Sequence, residues 1–238
     1  MTPDAYDAHL AYLRAHNYTA LTVTQLVTAL SADSSSLPEK PIVITFDDGF
    51  ADFHEHALPI LKRYDFTATL YITTGYVGST SRWLHREMEA DRPMLTWGQI
   101  SELLANGIEC GAHSCLHPQL DTSSRAAARK EINESKDALE QHLGQPVSTF
   151  AYPHGYYNQT VRQLVQEAKY SSACGVKHAM SAPRDDRFAL ARIIVEDTTN
   201  VARLARLLTG EGLQVAPTRE TIRTQGWRLV RRFSKLWH

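Results

Sequence analysis

The stretch Ile42-Val43-Ile44-Thr45-Phe46-Asp47-Asp48-Gly49 decides how the rest of the chain is read. Apolar residues run unbroken to Thr45-Phe46, the pattern of a strand buried on both faces, and two carboxylates and a glycine then arrive together. Adjacent aspartates raise one another's pKa unless a cation lies between them or their side chains diverge. A solvated turn after a hydrophobic run fits the same residues, so metal ligands elsewhere in the chain are the deciding test.

Such ligands stand at His113-Ser114-Cys115-Leu116-His117. Two imidazoles four residues apart lie on one face of a helical turn and can both aim a nitrogen at one cation, with Asp48 as the third ligand. The short run Ile108-Glu109-Cys110-Gly111-Ala112 before them also reads as a strand that delivers His113 at its end. In a chain with eleven histidines a lone His-x-x-x-His pair carries little weight, and the strand-end Asp-Asp pair is what raises it.

Thr45-Phe46-Asp47-Asp48-Gly49, then His113-Ser-x-x-His117, then Phe150-Ala151-Tyr152-Pro153-His154-Gly155 together resemble the polysaccharide deacetylase family, also called the NodB-homology domain or carbohydrate esterase family 4. The resemblance covers roughly residues 5 to 200. It implies an α/β fold, a single-domain distorted (β/α) barrel of the NodB-homology type, and metal-dependent removal of acetyl groups from glycans. By that resemblance Asp47 is the general base, while Asp48, His113 and His117 bind a divalent metal. Zn²⁺ is the ion expected for an Asp-His-His set with open positions, Co²⁺ and Ni²⁺ being the alternatives.

Much of the family carries an arginine in the third motif, where this chain has Ala151. Leu190-Ala191-Arg192 resembles a branch in which a late Leu-x-Arg strand supplies that guanidinium. Arg192 is therefore expected to pair bidentately with Asp47, against the plainer reading of a strand-end arginine paired to a surface acid. His154, at the family's tyrosine position, is the candidate oxyanion donor through its backbone N–H and a candidate acid through its ring.

The branch includes deacetylases of exported poly-N-acetylglucosamine. There a Tyr-His pair just upstream of the first helix supplies the general acid, and the sequence given begins after that position. Either the start is misassigned and the pair lies upstream, or the acid comes from elsewhere, or turnover is impaired. Three readings of function follow: removal of N-acetyl groups from an N-acetylglucosamine-containing polysaccharide or oligosaccharide, an O-acetyl (xylan-type) carbohydrate esterase, and a glycan-binding module without turnover.

Length and composition set the outer bounds. A chain of 238 residues suits one large domain. Its 25 basic and 26 acidic residues leave a net charge of −1, so no overall field draws it to nucleic acid. Cys110, Cys115 and Cys174 are odd in number and lack metal-type spacing, and they read as small, mostly buried side chains. No apolar run has the length of a membrane span, and the first residues lack the basic and apolar regions of a signal peptide. The expectation is a cytoplasmic protein, with export left open if the chain continues upstream.

Three regions are expected. Residues 1–40 read as helix, strand and helix packed on the barrel: a helix over 4–16 capped by Thr2 or Asp4, a strand at Leu21-Thr22-Val23, and a helix from Thr24 to Leu30. Residues 41–209 read as the barrel. They include a helix over 52–64 kinked by Pro59, a buried strand over 68–73, a long connection over 75–93 and a Thr96-capped helix to Ala105. Trp83 in that connection either shapes substrate specificity or staples the loop to the core. A solvated outer helix over 123–143 follows, whose Glu and Lys residues get no functional role, and a closing helix spans 201–208. Residues 210–238 read as a linker and a basic amphipathic tail with Trp227, Val230, Phe233 and Trp237 on one face among Arg228, Arg231, Arg232 and Lys235. That profile fits peripheral membrane contact through residues 220–238, a helix docked on the barrel, or an unstructured end.

Overall fold

A computed structural model describes residues 1–32, 36–182, 185–213 and 222–234. The apolar run at its centre is not one strand. β1 (Thr19–Leu21) pairs in parallel with β2 (Pro41–Val43), and past Ile44 the chain changes partners, so that β3 (Thr45–Phe46) pairs in parallel with β4 (Thr69–Ile72). Residues 42–46 are consequently half-buried rather than buried on both faces, because β2 belongs to a two-stranded ladder and β3 is an edge strand.

The main sheet runs β3, β4, β5 (Glu109–Ala112), β6 (Thr149–Ala151) and β7 (Ser172–Cys174), all parallel. A parallel bridge between Cys174 and Leu190 extends it past β7. Parallel neighbours require crossover connections, which the helices supply. The result is a curled half-barrel that the described strands leave open between β3 and the Leu190 segment. Arg192 spans that opening, its Nε donating to Gly175 O at 3.0 Å and its Nη1 to Thr45 Oγ1 at 3.2 Å.

Local chemistry fixes the helix starts. In α1 (Pro3–Ala15) Thr2 Oγ1 accepts the Ala5 N–H, and Tyr6, Leu10 and Leu13 form the buried face. α2 (Val23–Ala32) starts earlier than Thr24 because Thr22 and Gln25 cap each other: Gln25 N–H donates to Thr22 Oγ1 and Thr22 N–H to Gln25 Oε1. The preceding strand moves back with it, to Thr19–Leu21. α3 (Leu58–Arg63) follows a wide π turn over Phe53–Ala57, so the irregularity expected at Pro59 falls just before it, with Pro59 in the first turn of α3. α4 (Trp97–Ala105) begins with the Thr96/Gln99 capping box. α5 (Arg125–Leu143) is capped by Ser124 and ends at Gly144 with φ 66°. α6 (Gln159–Glu167) and α7 (Val201–Leu208) are capped by Asn158 and Asn200.

Between sheet and helices lies a core that includes Leu61, Leu70, Ile100, Ile132, Leu139 and Phe150, each essentially excluded from water. Burying each such side chain contributes about 1.5–3 kcal/mol before entropy is charged against it. Cys110 and Cys174 are buried, Cys115 is half-buried, and all three are free thiols. No described helix is long and apolar enough to cross a membrane.

α8 (Ile222–Ser234) lies against the barrel. Arg231 donates to both oxygens of buried Asp121, at 2.9 and 2.6 Å, Arg228 Nε adds a third bond at 2.9 Å, and the Arg231 guanidinium sits 3.8 Å from the centre of the Tyr156 ring. Arg228 and Arg231, expected to rim a membrane-facing surface, therefore point inward, whereas Trp227 and Val230 are exposed. The Phe233 side chain, Lys235, Trp237 and residues 214–221 lie outside the described residues.

Candidate metal centre

The carboxyl ends of β3, β5 and β6 converge on one point. After β3 the backbone turns through two left-handed residues, Asp48 with φ 75° and Gly49 with φ 88°. The turn is tied down where Thr73 N–H meets Asp48 O at 3.1 Å and Leu95 N–H meets Gly49 O at 3.0 Å. His113 leaves β5 with its N–H on Ile72 O, and its ring Nδ1 lies 2.8 Å from Ala151 O at the end of β6. A carbonyl only accepts, so Nδ1 carries the proton and Nε2 presents a lone pair.

His113 and His117 do not share a helical turn. The chain between them is an irregular loop in which Ser114 has φ 64° and His117 φ 56°, and Ser114 Oγ accepts the His117 N–H at 3.1 Å. This fold-back, not a helical period, sets the two Nε2 atoms 3.2 Å apart. Left-handed backbone at a non-glycine residue costs on the order of 1–3 kcal/mol. Of nine such residues described, four (Asp48, Ser114, His117 and His154) surround this point, a clustering of backbone strain of the kind found at functional sites.

Asp48 Oδ1 completes a triangle, 3.5 Å from His113 Nε2 and 3.3 Å from His117 Nε2. Tetrahedral bonds of 2.0–2.1 Å give donor separations of about 3.3 Å, so these three atoms fit one Zn²⁺-sized ion. Two further observations agree. Asp48 Oδ1 is buried without a hydrogen-bond partner among the described residues, and lone pairs facing one another this closely are unfavourable unless a cation lies between them. Burial, with His113 and His154 alongside, pushes the His117 pKa down to about 2, which keeps its imidazole neutral as a ligand must be. Burial raises the Asp48 pKa, with His113 opposing. Among the described residues these three form the one such cluster found.

Asp47 points away from the triangle. Arg192 grips it with Nη1 on Oδ1 at 2.6 Å and Nη2 on Oδ2 at 2.8 Å. Burial alone would raise its pKa, but Arg192 and then His113 outweigh that and hold the carboxylate down to about 2. Burial disfavours the charged form of Arg192, and Asp47 more than restores it. The adjacent aspartates thus diverge, one toward the imidazoles and one toward the guanidinium.

His154 sits on the turn over Pro153–Gly155 with φ 57°, its ring 4.5 Å from that of His117, and burial with His113 lowers its pKa. On the other side Trp83 lies 5.4 Å from the His117 ring and packs on Tyr76 and Phe50. Trp83 therefore ties its loop to Phe50 and stands beside His117. Sequence reasoning missed Thr45, which accepts from Arg192, and Tyr71, whose ring lies 5.7 Å beneath the guanidinium. Both sit in apolar strand patterns that carry no signal of such a role.

Known proteins resemble this chain in sequence and in fold. The sequence model described as Polysaccharide deacetylase matches residues 34–173, a span that contains Asp47, Asp48, His113, His117 and His154 but not Arg192. The YxkH protein of Bacillus subtilis (strain 168) is 26% identical over 190 residues, covering 80% of this chain and 63% of that protein. The poly-beta-1,6-N-acetyl-D-glucosamine N-deacetylase of Staphylococcus aureus (strain MSSA476) is 24% identical over 202 residues, covering 81% and 66%. The chain thus spans a little under two thirds of the length of these relatives. Among solved structures, the Streptococcus pyogenes deacetylase PplD in complex with acetate superposes with a TM-score of 0.75 at 29% identity, covering 87% of this chain and 86% of that one.

Proposed function

This chain belongs to the polysaccharide deacetylase family, and on that premise we propose that it hydrolyses the acetamide of N-acetylglucosamine units in a polysaccharide or oligosaccharide, using a divalent metal. The observation that carries the reading is the divergence of Asp47 and Asp48. Asp48, His113 and His117 form a ligand triangle, and the neighbouring carboxylate is kept out of it, ionised and oriented by Arg192. The name of the Staphylococcus aureus relative supports a poly-N-acetylglucosamine substrate.

Zn²⁺ held by Asp48, His113 and His117 would polarise the acetyl carbonyl and acidify a water in an open position beside it. Asp47 takes the proton of the attacking water. Both its oxygens already accept from Arg192, but each retains a second lone pair for that purpose. The bidentate grip fixes the plane of the carboxylate, so the accepting lone pair is aimed before substrate arrives. The His154 backbone N–H serves as oxyanion donor, and its ring, neutral at rest because burial lowers its pKa, would take up the proton that Asp47 removes from water before giving it to the departing sugar nitrogen. Trp83, half-buried beside His117, and Tyr76, half-buried against Trp83, would offer apolar ring surface to the pyranose.

Acetate release tests the substrate assignment. The Zn²⁺-loaded chain is expected to deacetylate β-1,6-linked N-acetylglucosamine oligomers faster than acetylxylan. The reverse order supports the O-acetyl esterase, and oligomer binding without acetate release supports a recognition module.

Peripheral membrane contact through α8 remains a separate proposal. It rests on Trp227 and Val230, which face solvent, now that Arg228 and Arg231 are engaged by Asp121. Removal of residues 220–238 should abolish partition onto anionic liposomes, and unchanged partition ends the idea.

A further inference from the structure

The loop that brings His117 back over His113 is strained at Ser114 and His117, so something must hold it. On one side its carbonyls are occupied: Thr74 N–H donates to Ser114 O at 3.2 Å and Gly75 N–H to Cys115 O at 2.9 Å. Gly75 permits this approach, since a Cβ there would lie 2.7 Å from Cys115 O. On the other side, the amides of Cys115 and Leu116 both donate to a single atom, Glu131 Oε2, at 2.9 and 2.8 Å. Two consecutive amides converging on one anionic oxygen form a charge-assisted clamp, stronger than its neutral equivalent.

Glu131 lies in the second turn of α5, in a charged run that by pattern alone is a solvated outer face. The residue after it, Ile132, is fully buried, so the helix position is fixed by the core and the carboxylate is delivered from a rigid element. Among the described residues the Glu131 side chain bonds to the amides of Cys115 and Leu116 and to neither His113 nor His117. It grips the two residues between them. The loop is thereby fastened to β4's exit on one flank and to α5 on the other, with His117 as its free product.

We propose that Glu131 is a positioning residue for the metal centre, holding the Cys115-Leu116 turn so that His117 Nε2 stays within reach of the cation shared with Asp48 and His113. This rests on the metal-centre reading above. Groups that orient a ligand from behind in this way alter metal affinity by about 10- to 100-fold when removed.

The test measures Zn²⁺ affinity of the purified 238-residue chain by competition with a chromophoric chelator, together with the thermal midpoint of the metal-free chain. Glu131→Ala is expected to weaken Zn²⁺ binding by about 10-fold or more. Glu131→Gln, which keeps an acceptor oxygen without its charge, should fall between that variant and wild type, and it decides the matter if Glu131→Ala does not fold. Glu134→Ala removes an exposed carboxylate from the same helix and should leave the affinity unchanged. A lowered thermal midpoint with unchanged Zn²⁺ affinity in both Glu131 variants makes Glu131 a fold-stabilising residue only and overturns the proposal. A wild-type chain that takes up no Zn²⁺ overturns the metal-centre reading as well, and so separates the two failures.

Discussion

Arg192 closes the open side of the half-barrel by gripping Asp47, 145 residues earlier in the chain, through two parallel hydrogen bonds of 2.6 and 2.8 Å. The contact joins the segment after β7 to the end of β3 and holds one of two adjacent aspartates away from the other's ligand triangle. Stability and chemistry meet in one ion pair, and its perturbation separates them.

Arg192→Lys keeps a positive charge near Asp47 but loses the two-pronged grip. Turnover is expected to fall by about 10- to 100-fold with Zn²⁺ affinity unchanged, because orientation of the base is lost and not the ligand set. Parallel loss of both would show that Arg192 supports the metal site as well. Single-turnover acetate release and zinc content on the same preparation supply the two numbers.

His113→Ala removes one donor of the triangle and the hydrogen bond to Ala151 O. Zinc content and acetate release should disappear together. Chelation of the wild-type chain should abolish activity, and Zn²⁺ should restore it. Activity that survives exhaustive chelation would exclude a metal-dependent hydrolase.

His154→Gln tests the ring as proton donor. An amine must be protonated to leave, whereas a sugar alkoxide depends on this less, so N-acetyl substrates should lose about 10²-fold in turnover and an activated O-acetyl ester much less. Equal losses on both substrates would confine His154 to lining the cleft.

Asp121 links acid sensitivity to the docking of α8. Burial raises its pKa, but the hydrogen bonds from Arg231 and Arg228 outweigh that and hold it below its ordinary value. A depressed folded-state pKa contributes stability that is fully present above the unfolded value of about 3.9 and is lost as pH falls through the folded value. Asp121→Asn should therefore be less stable than wild type at pH 7 and should lose less further stability between pH 5 and pH 3, checked by denaturant midpoints across that range. The loss at pH 7 is limited by undocking of α8, which returns Arg228 and Arg231 to water. Parallel pH curves for the two proteins would contradict the assignment.

Much of the site was legible before the fold, for uneven reasons. The Asp-Asp-Gly stretch was readable because two histidines downstream gave its carboxylates a cation to share, but the switch of partners at Ile44 was not, since an apolar run does not say which neighbour it pairs with. His113 and His117 were paired on a helical spacing that the structure does not contain, and an irregular loop brings their rings together instead. A spacing of four also suits a loop with left-handed Ser114, and no side-chain pattern announces that conformation. The start of α2 was legible and misread: Gln25 three residues after Thr22 is a capping-box signal that Thr24 lacks. Glu131 sat in plain view within a charged run, where one carboxylate with a specific partner looks like its solvated neighbours. For α8 the docked helix was one of three readings left open, and the sequence did not show which arginines would hold it: Arg228 and Arg231 find a buried partner in Asp121, over a hundred residues away.

The most direct test is zinc stoichiometry and acetate release measured together on wild type and Asp47→Asn. One Zn²⁺ per chain in both proteins, with turnover lost in the variant by about 10²-fold or more, is the predicted result. An Asp47→Asn chain that remains active, or that loses its zinc, would contradict the division of labour between the two aspartates.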